Sequence, residues 1–155
     1  MTAVGTTRVI RLLHAPRPAV YRALVDADAV ARWKVPPDMT STVHEFTGAE
    51  GGTFRISLTY DAPGPVGKTT AHTDTYRGRF VRLVPDELVV EADEFETADP
   101  ALQGEMTITI TLRDADGGTE LVAVHEGLPD AVSPEDNETG WRLSLDRLAA
   151  LVEDR

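Results

Sequence analysis

The alternation of hydrophobic and polar residues through the middle of the chain predicts a series of β-strands. In the segment 53–60 every second residue is hydrophobic, and the residues between them are Thr, Arg or Ser. Successive side chains of a strand point to opposite faces, so this pattern describes a strand with one buried and one solvent-facing side. Glycine- or proline-containing turns separate further runs of this kind. Strands are predicted at 7–14, 40–46, 53–60, 70–84, 88–95, 105–113 and 119–126.

A different spacing begins after residue 133 and predicts one long amphipathic helix. The Ser133 side chain suits the N-cap, and Pro134 suits the first helical position. Two shorter helices are predicted nearer the start of the chain, one after the prolines at 16 and 18 and one ending near Trp33. In the long helix, hydrophobic residues recur at steps of four, three and four, which is one helix face: Trp141, Leu145, Leu148 and Val152.

The order of these elements predicts an α+β fold. The order is a strand, two short helices, six antiparallel strands and a long helix, and 155 residues suit a single domain, 1–155. One helix can cover the hydrophobic face of such a sheet only when the sheet curls around it. We therefore predict a curved antiparallel sheet wrapped around the C-terminal helix, with a hollow between the two.

The composition of the chain argues against several classes of function. The formal net charge is −11, which repels phosphate backbones, so nucleic-acid binding is not expected. No stretch approaches the roughly 20 consecutive apolar residues of a membrane helix, so no membrane insertion is expected. The sequence contains no cysteine, and its start lacks the pattern of a secretion signal, so a cytoplasmic location is predicted. Gly51-Gly52 lacks the lysine and the following helix of a phosphate loop, and no cofactor is predicted.

Several local sequences, in this order of elements, resemble the helix-grip superfamily. That superfamily is typified by the birch pollen allergen, the START lipid-transfer domains and the polyketide cyclases. The chain is most similar to the branch named for the activator of the heat-shock-protein-90 ATPase. In this chain, Lys34 replaces a second tryptophan that is common after Trp33 in the branch. The motifs that carry the resemblance include Ala15-Pro16, Val20-Tyr21-Arg22-Ala23-Leu24, Ala31-Arg32-Trp33, Glu45-Phe46, Gly51-Gly52-Thr53-Phe54, Gly78-Arg79-Phe80, His125-Glu126-Gly127-Leu128-Pro129 and Gly140-Trp141.

The resemblance implies a ligand pocket between the curved sheet and the long helix. The leading hypothesis is therefore a protein that binds a small apolar or amphipathic molecule, with no catalysis assumed and no metal. His125 lies on the same strand face as Leu121 and Ala123, so its side chain is expected to face the long helix. There it either contacts a ligand or forms a hydrogen bond with a neighbouring group of the protein. Trp33 and Trp141 either shape the pocket or anchor the packing. The predicted ligand-binding residues are Trp33, Phe54, Ile56, Tyr76, Phe80, Met106, Ile108, His125, Trp141 and Leu145.

Two alternatives to simple ligand binding stay open. His72, Asp74 and Tyr76 lie two residues apart on one predicted strand, so their side chains share a face. If that face lines the hollow, the three can perform general acid–base chemistry on a carbonyl compound, as in a cyclase, dehydratase or hydrolase. The second alternative is an interaction module that regulates a chaperone or another protein through its acidic surface.

Two expectations concern the outside of the sheet. Val122 and Val124 are hydrophobic on the predicted solvent face, which suggests a homodimer contact or simple β-propensity. His44 and Glu45 are adjacent in a strand and are expected to point to opposite faces, with His44 outside or at the mouth of the hollow.

Overall fold

A computed structural model describes residues 5–36, 38–60 and 73–153 of the chain. The predicted order of strands and helices is confirmed within these ranges. Residues 70–72 of the long predicted strand lie outside them. The elements are β1 (Thr7–Leu13), α1 (Arg17–Leu24), α2 (Ala27–Trp33), β2 (Met39–Phe46), β3 (Thr53–Tyr60), β4 (Thr73–Val84), β5 (Leu88–Phe95), β6 (Met106–Ala115), β7 (Gly118–Glu126) and α3 (Pro134–Glu153).

The seven strands form one antiparallel sheet in the order β1-β7-β6-β5-β4-β3-β2. The sheet curls into a half-barrel, and α3 packs on it, which confirms the predicted α+β architecture. Side chains alternate in burial along β6 and β7, so that one face of each strand belongs to the core and the other does not.

The long helix α3 begins as its sequence predicts. The Ser133 hydroxyl accepts a hydrogen bond from the Asp136 backbone N–H at 3.3 Å, which caps the helix. The predicted hydrophobic face is buried in the core: Trp141, Leu145, Leu148 and Val152. Helix α2 contacts α3 and is capped by Asp26, whose carboxylate accepts from the Ala29 N–H at 2.9 Å. These helices cover the core side of the sheet.

A β-bulge corrects one expectation about the outside of the sheet. The register of β2 against β3 shifts between Val43 and Glu45, which adds one residue to the bulged strand. His44 and Glu45 are consequently both exposed rather than on opposite faces. The His44 Nε2 atom lies 2.8 Å from the Ser57 Oγ atom, on the face opposite to Ile56.

Val122 and Val124 are half-buried on the other face of the sheet from the core. In the β1–β7 register Val122 lies opposite Ile10, whose side chain is exposed, and Val124 lies opposite Arg8. The homodimer contact stays a prediction. None of the helices in the described ranges has the length and hydrophobicity that crossing a membrane requires.

Candidate functional site

A cavity of about 180 Å³ lies between the sheet and the C-terminal helix. The sheet contributes most of its wall, and α3 covers it from the other side. Lys34 and Pro36, which follow α2, complete the lining. The lining residues of the sheet are Leu58, Tyr76, Asp93, Phe95, Met106, Ile108 and His125, and those of α3 are Asn137, Gly140, Trp141 and Ser144.

The structure brings half of the predicted ligand-binding residues to this cavity. Leu145 is fully buried but lines neither this cavity nor the smaller void described next. The cavity-lining members of the predicted set are Tyr76, Met106, Ile108, His125 and Trp141. The remaining members surround a separate void of about 10 Å³, which is room for about one water molecule: Trp33, Phe54, Ile56 and Phe80.

The three residues proposed for acid–base chemistry are not all placed at the cavity. His72 lies outside the described residues. Asp74 and Tyr76 share a face of β4, and both are buried. Of the two described members of the trio, Tyr76 lines the cavity and Asp74 does not.

His125 is held by hydrogen bonds on both ring nitrogens. Its Nδ1 atom accepts from the Trp141 indole N–H at 3.0 Å and from the Asn137 amide at 3.2 Å. Because an indole nitrogen can only donate, Nδ1 carries no proton, and the ring proton lies on Nε2, 3.2 Å from the Met106 sulfur. Burial lowers the pKa of His125 to about 4, and the positive charge of Lys34 adds to this effect. The imidazole is therefore a neutral, fixed part of the wall.

A buried cluster of charged side chains occupies the other part of the wall. The Lys34 ammonium forms an ion pair with Glu91 and lies 3.7 Å from the Asp93 carboxylate. It also sits 5.5 Å from the centre of the Tyr76 ring, which allows a cation–π contact. Burial alone lowers the pKa of Lys34, but the neighbouring Glu91, Tyr76 and Asp93 outweigh burial and raise it. Lys34 is thus a fixed cation, held chiefly by Glu91.

The cluster contains two carboxyl groups for one cation. Asp93 is 3% exposed, and burial together with the nearby Glu91 raises its pKa well above its ordinary range. Lys34 lowers this pKa only in part, because the ammonium is closer to Glu91. A hydrogen bond between the Asp93 and Glu91 carboxyl groups raises the Asp93 pKa further, so the two acids and Lys34 form one connected cluster.

Two of the residues that line the cavity each have a buried polar atom without a partner. Within the described part of the chain, neither the Tyr76 hydroxyl nor the Asp93 Oδ1 atom has a hydrogen-bond partner. Burial raises the pKa of Tyr76, so its hydroxyl keeps its proton at neutral pH. A buried unpaired polar group costs roughly 1–3 kcal/mol, so both atoms reduce the stability of the fold.

Sequence reasoning missed Lys34, Glu91 and Asp93. On β5 the two acids share the inward parity of Val89 and Phe95, and acidic residues at core positions are an available signal of a buried polar site.

Two glycines keep space open around these groups. A Cβ atom on Gly78 would lie 2.6 Å from Asp93 Oδ1 and 2.6 Å from the Phe54 ring, so glycine is required for both side chains to approach β4. Gly140 is different: a Cβ atom there would meet no described atom within 4 Å, although the residue lies inside α3. Glycine costs about 1 kcal/mol relative to alanine inside a helix, so this position leaves room in the cavity at the expense of helix stability.

A curled antiparallel sheet that grips a long C-terminal helix defines the helix-grip, START-like class of proteins. Within this class, residues 14–153 match the model of the family described as "Activator of Hsp90 ATPase homolog 1-like protein". The chain belongs to this family, as the sequence motifs predicted.

Solved structures show the same fold. Protein CV1439 from Chromobacterium violaceum is 38% identical, with 97% of this chain and 99% of that chain covered and a TM-score of 0.88. A protein from Rhodobacter sphaeroides is 20% identical, with 98% and 94% covered and a TM-score of 0.80. An AHSA1-like protein from Aeromonas hydrophila is 18% identical, with 96% and 92% covered and a TM-score of 0.71. None of the curated proteins matches this chain.

Proposed function

We propose that this protein binds a small amphipathic molecule in the cavity between its sheet and α3. One observation carries the proposal. The cavity wall is largely hydrophobic, and it contains a few polar side chains, among them Tyr76, Asp93 and His125. Such a combination is typical of a ligand site, where hydrophobic walls supply affinity and a few polar groups set orientation.

The cavity is open to the surface, and its volume suits a ligand portion of about one ring. A protein cavity of about 150 Å³ accommodates benzene, and the cavity here is slightly larger, about 180 Å³. Burying about 150 Å² of ligand carbon surface yields roughly 4 kcal/mol before the costs of association. We therefore expect modest affinity for simple one-ring probes.

Binding as such is tested by filling the cavity from α3. Gly140→Phe introduces a side chain that points into the empty space beside this residue, and should weaken the binding of ethylbenzene at least about tenfold. Leu143→Phe is the matched control, because it adds similar bulk at an exposed position of the same helix. Ethylbenzene titrations followed by NMR should show saturable shifts at Tyr76 and Trp141 in the wild type and in Leu143→Phe.

Thermal unfolding confirms first that both variants are folded. Failure of ethylbenzene and other one-ring molecules to bind the wild type saturably would reject the proposal. Equal affinity of ethylbenzene for Gly140→Phe and the wild type would place the binding elsewhere on the protein.

The two alternatives receive less support from the geometry. An enzyme built on His72, Asp74 and Tyr76 needs these side chains at one site, and of the two described residues Asp74 does not line the cavity. Regulation of a chaperone through the acidic surface stays a prediction.

A further inference from the structure

The outer face of the sheet, opposite to the cavity, is divided into a charged half and an apolar half. In the charged half, on β3 to β5, outward arginines form ion pairs with nearby glutamates: Arg55 with Glu96, Arg77 with Glu94 and Arg79 with Glu105. Towards β1 the outward positions hold aliphatic residues and threonines instead. Their side chains are not part of the hydrophobic core cluster, so the packing of the interior does not require them to be apolar.

The strand register arranges these residues in two neighbouring rows that cross β1, β7, β6, β5 and β4 in that order. The first row consists of Ile10, Val122, Thr111, Leu88 and Val84. The second row, two residues away on each strand, consists of Arg8, Val124, Thr109, Val90 and Arg82. The first row carries no charge, and the second is charged only at its two arginine ends. We call the two rows, together with the adjacent Leu12 and Val81, the outer patch.

The outer patch holds most of the exposed large hydrophobic side chains in the described part of the chain. Ile10 is 47% exposed, Leu12 41% and Val81 48%, whereas the fourth side chain of this kind, Leu143, lies on α3. A single exposed hydrophobic residue is ordinary on a protein surface, but a contiguous patch marks a contact site. The clustering of three of them on one face therefore indicates an interface.

The charges at the border of the outer patch are suited to a second copy of the chain. Among the described residues, Arg8 and Arg82 form no ion pair, and neither does the exposed Glu126, two residues from Val124 on β7. One copy thus supplies unpaired arginines and the other an unpaired glutamate, which complement each other across a contact. The net charge of −11 makes two copies repel each other, and this repulsion is locally reduced at the two rows, which contain arginines but no acid.

We propose that the outer patch is the contact between two copies of this chain, packed sheet against sheet about a two-fold axis. Flat faces of β-branched side chains pack on one another about 10 Å apart, as the two sheets of a β-sandwich do. A second copy brings the same flat apolar face and the same border charges. A contact in which both copies use the same surface is closed at two copies, so a dimer is the expected assembly.

The size of the outer patch sets the expected strength of the dimer. Five strands about 4.8 Å apart, with about six residues of each, cover about 500 Å². The bordering charged residues bring the contact closer to the roughly 800 Å² per partner of a standard stable interface. We therefore expect a weak dimer with a Kd of about 1–100 μM, which dissociates on dilution.

Sedimentation equilibrium between about 1 and 500 μM protein tests the proposal. Val122→Lys and Ile10→Lys each place a cation in the first row, and each should raise the Kd of the dimer at least about tenfold, because the charge enters a two-fold contact twice. Leu143→Lys is the matched control, since it replaces an exposed hydrophobic residue of α3 and changes the net charge equally. It should change the Kd less than about twofold.

Two further measurements keep the test independent of folding. Thermal unfolding shows first which variants are folded, and Ile10→Lys alters a side chain that is already exposed, so it tests the contact even if Val122→Lys does not fold. In the folded wild type, the methyl NMR signals of Val122, Val124 and Leu88 should shift with protein concentration, and those of Leu143 should not. The cavity lies on the other face of the sheet, so ethylbenzene affinity should be equal in Ile10→Lys and the wild type.

Three outcomes would overturn the proposal. The first is a wild type that stays monomeric at every concentration. The second is a dimer whose Kd is the same in Ile10→Lys and Val122→Lys as in Leu143→Lys, which would place the contact on another surface. The third is a monomer that floats with phosphatidylglycerol vesicles and shows methyl shifts at Val122 and Val124 on binding them, which would assign the outer patch to a membrane surface.

Discussion

His125 illustrates how a single buried side chain can be tied to the position of a helix. Its Nδ1 atom accepts hydrogen bonds from two residues of α3, Asn137 and Trp141, while the imidazole itself belongs to β7. Protonation of Nδ1 would place a new N–H opposite the two donors, Asn137 and Trp141, so both hydrogen bonds would be lost. Burial also disfavours the positive charge of a protonated ring. The neutral form of one residue therefore helps to fix α3 over the sheet.

This arrangement predicts a dependence of stability on pH. The pKa of His125 is about 4 in the folded protein, below about 6.5 for an unfolded chain. Between these values the unfolded state binds the proton and the folded state does not. The stability contributed by neutral His125 is thus fully present above a pH of about 6.5 and is lost as the pH falls toward 4. The total loss of unfolding free energy is about 3 kcal/mol.

His125→Asn isolates this contribution, because the amide oxygen can replace Nδ1 as an acceptor but does not titrate. Urea denaturation at several pH values between about 4.5 and 7.5 should show a shallower loss of unfolding free energy in the variant than in the wild type. Lys34 and Glu91 face the same region and act in both proteins, so the difference between the two curves belongs to the histidine. Parallel curves would contradict the assignment.

At the scale of residues, the alternation along a strand predicts which side chains point into the core. It does not predict which residues of other elements those side chains contact. The alternation of Leu121, Ala123 and His125 places the histidine on the inward face, and the structure agrees. Its bonds to Asn137 and Trp141 depend on how α3 lies across β7, which no local pattern specifies. The charged pair of Lys34 and Glu91 was missed for the same reason, since the two meet only through the packing of α2's end against β5.

At the scale of elements, the sequence predicted strands well where alternation is regular and glycines flank it. The strand Thr53–Tyr60 has the predicted bounds. The bulges between Val43 and Glu45 and between Phe80 and Arg82 were not predicted. A bulge shifts the alternation by one residue. Near the ends of these strands the pattern of hydrophobic and polar residues is compatible with either register, so it does not reveal the bulge.

The β6–β7 hairpin gives a prediction at this scale, because its two glycines serve different purposes. A Cβ atom on Gly118 would lie 1.9 Å from the carbonyl oxygen of Leu13, at the end of β1, so alanine there must push β1 away from β7. Gly117 has φ +84 and only an ordinary contact with His14. Gly118→Ala should therefore lower the unfolding free energy by more than about 3 kcal/mol, and Gly117→Ala by roughly 1–2 kcal/mol.

Chemical denaturation of the two alanine variants measures this difference. Amide hydrogen exchange should also accelerate along β1 in Gly118→Ala, and much less in Gly117→Ala, since only the first substitution disturbs the β1–β7 pairing. Similar losses in both variants would mean that turn conformation, and not the close approach of β1, determines the cost.

At the scale of the whole molecule, the interior is divided into a packed part and a hollow part. The packed part surrounds Trp33, whose indole N–H donates to the Ala23 carbonyl at 2.8 Å and whose surroundings leave only about 10 Å³ empty. The hollow part has Trp141 in its wall and about 180 Å³ of space. The order of elements predicts a hollow between helix and sheet, but the location of any open space depends on how side-chain volumes fill the interior, which no local pattern specifies.

This division predicts that one tryptophan reports ligand binding and the other does not. Acetophenone, a one-ring probe of similar size to ethylbenzene, would contact Trp141 when bound in the cavity, whereas Trp33 lies in the packed part. Trp33→Phe, which leaves Trp141 as the sole tryptophan of the chain, should keep the fluorescence response to acetophenone. Trp141→Phe should lose most of that response while NMR still detects bound probe. A response that persists in Trp141→Phe would place the ligand at the packed part, where the structure leaves no room for a ring, and would contradict the assignment of the cavity as the binding site.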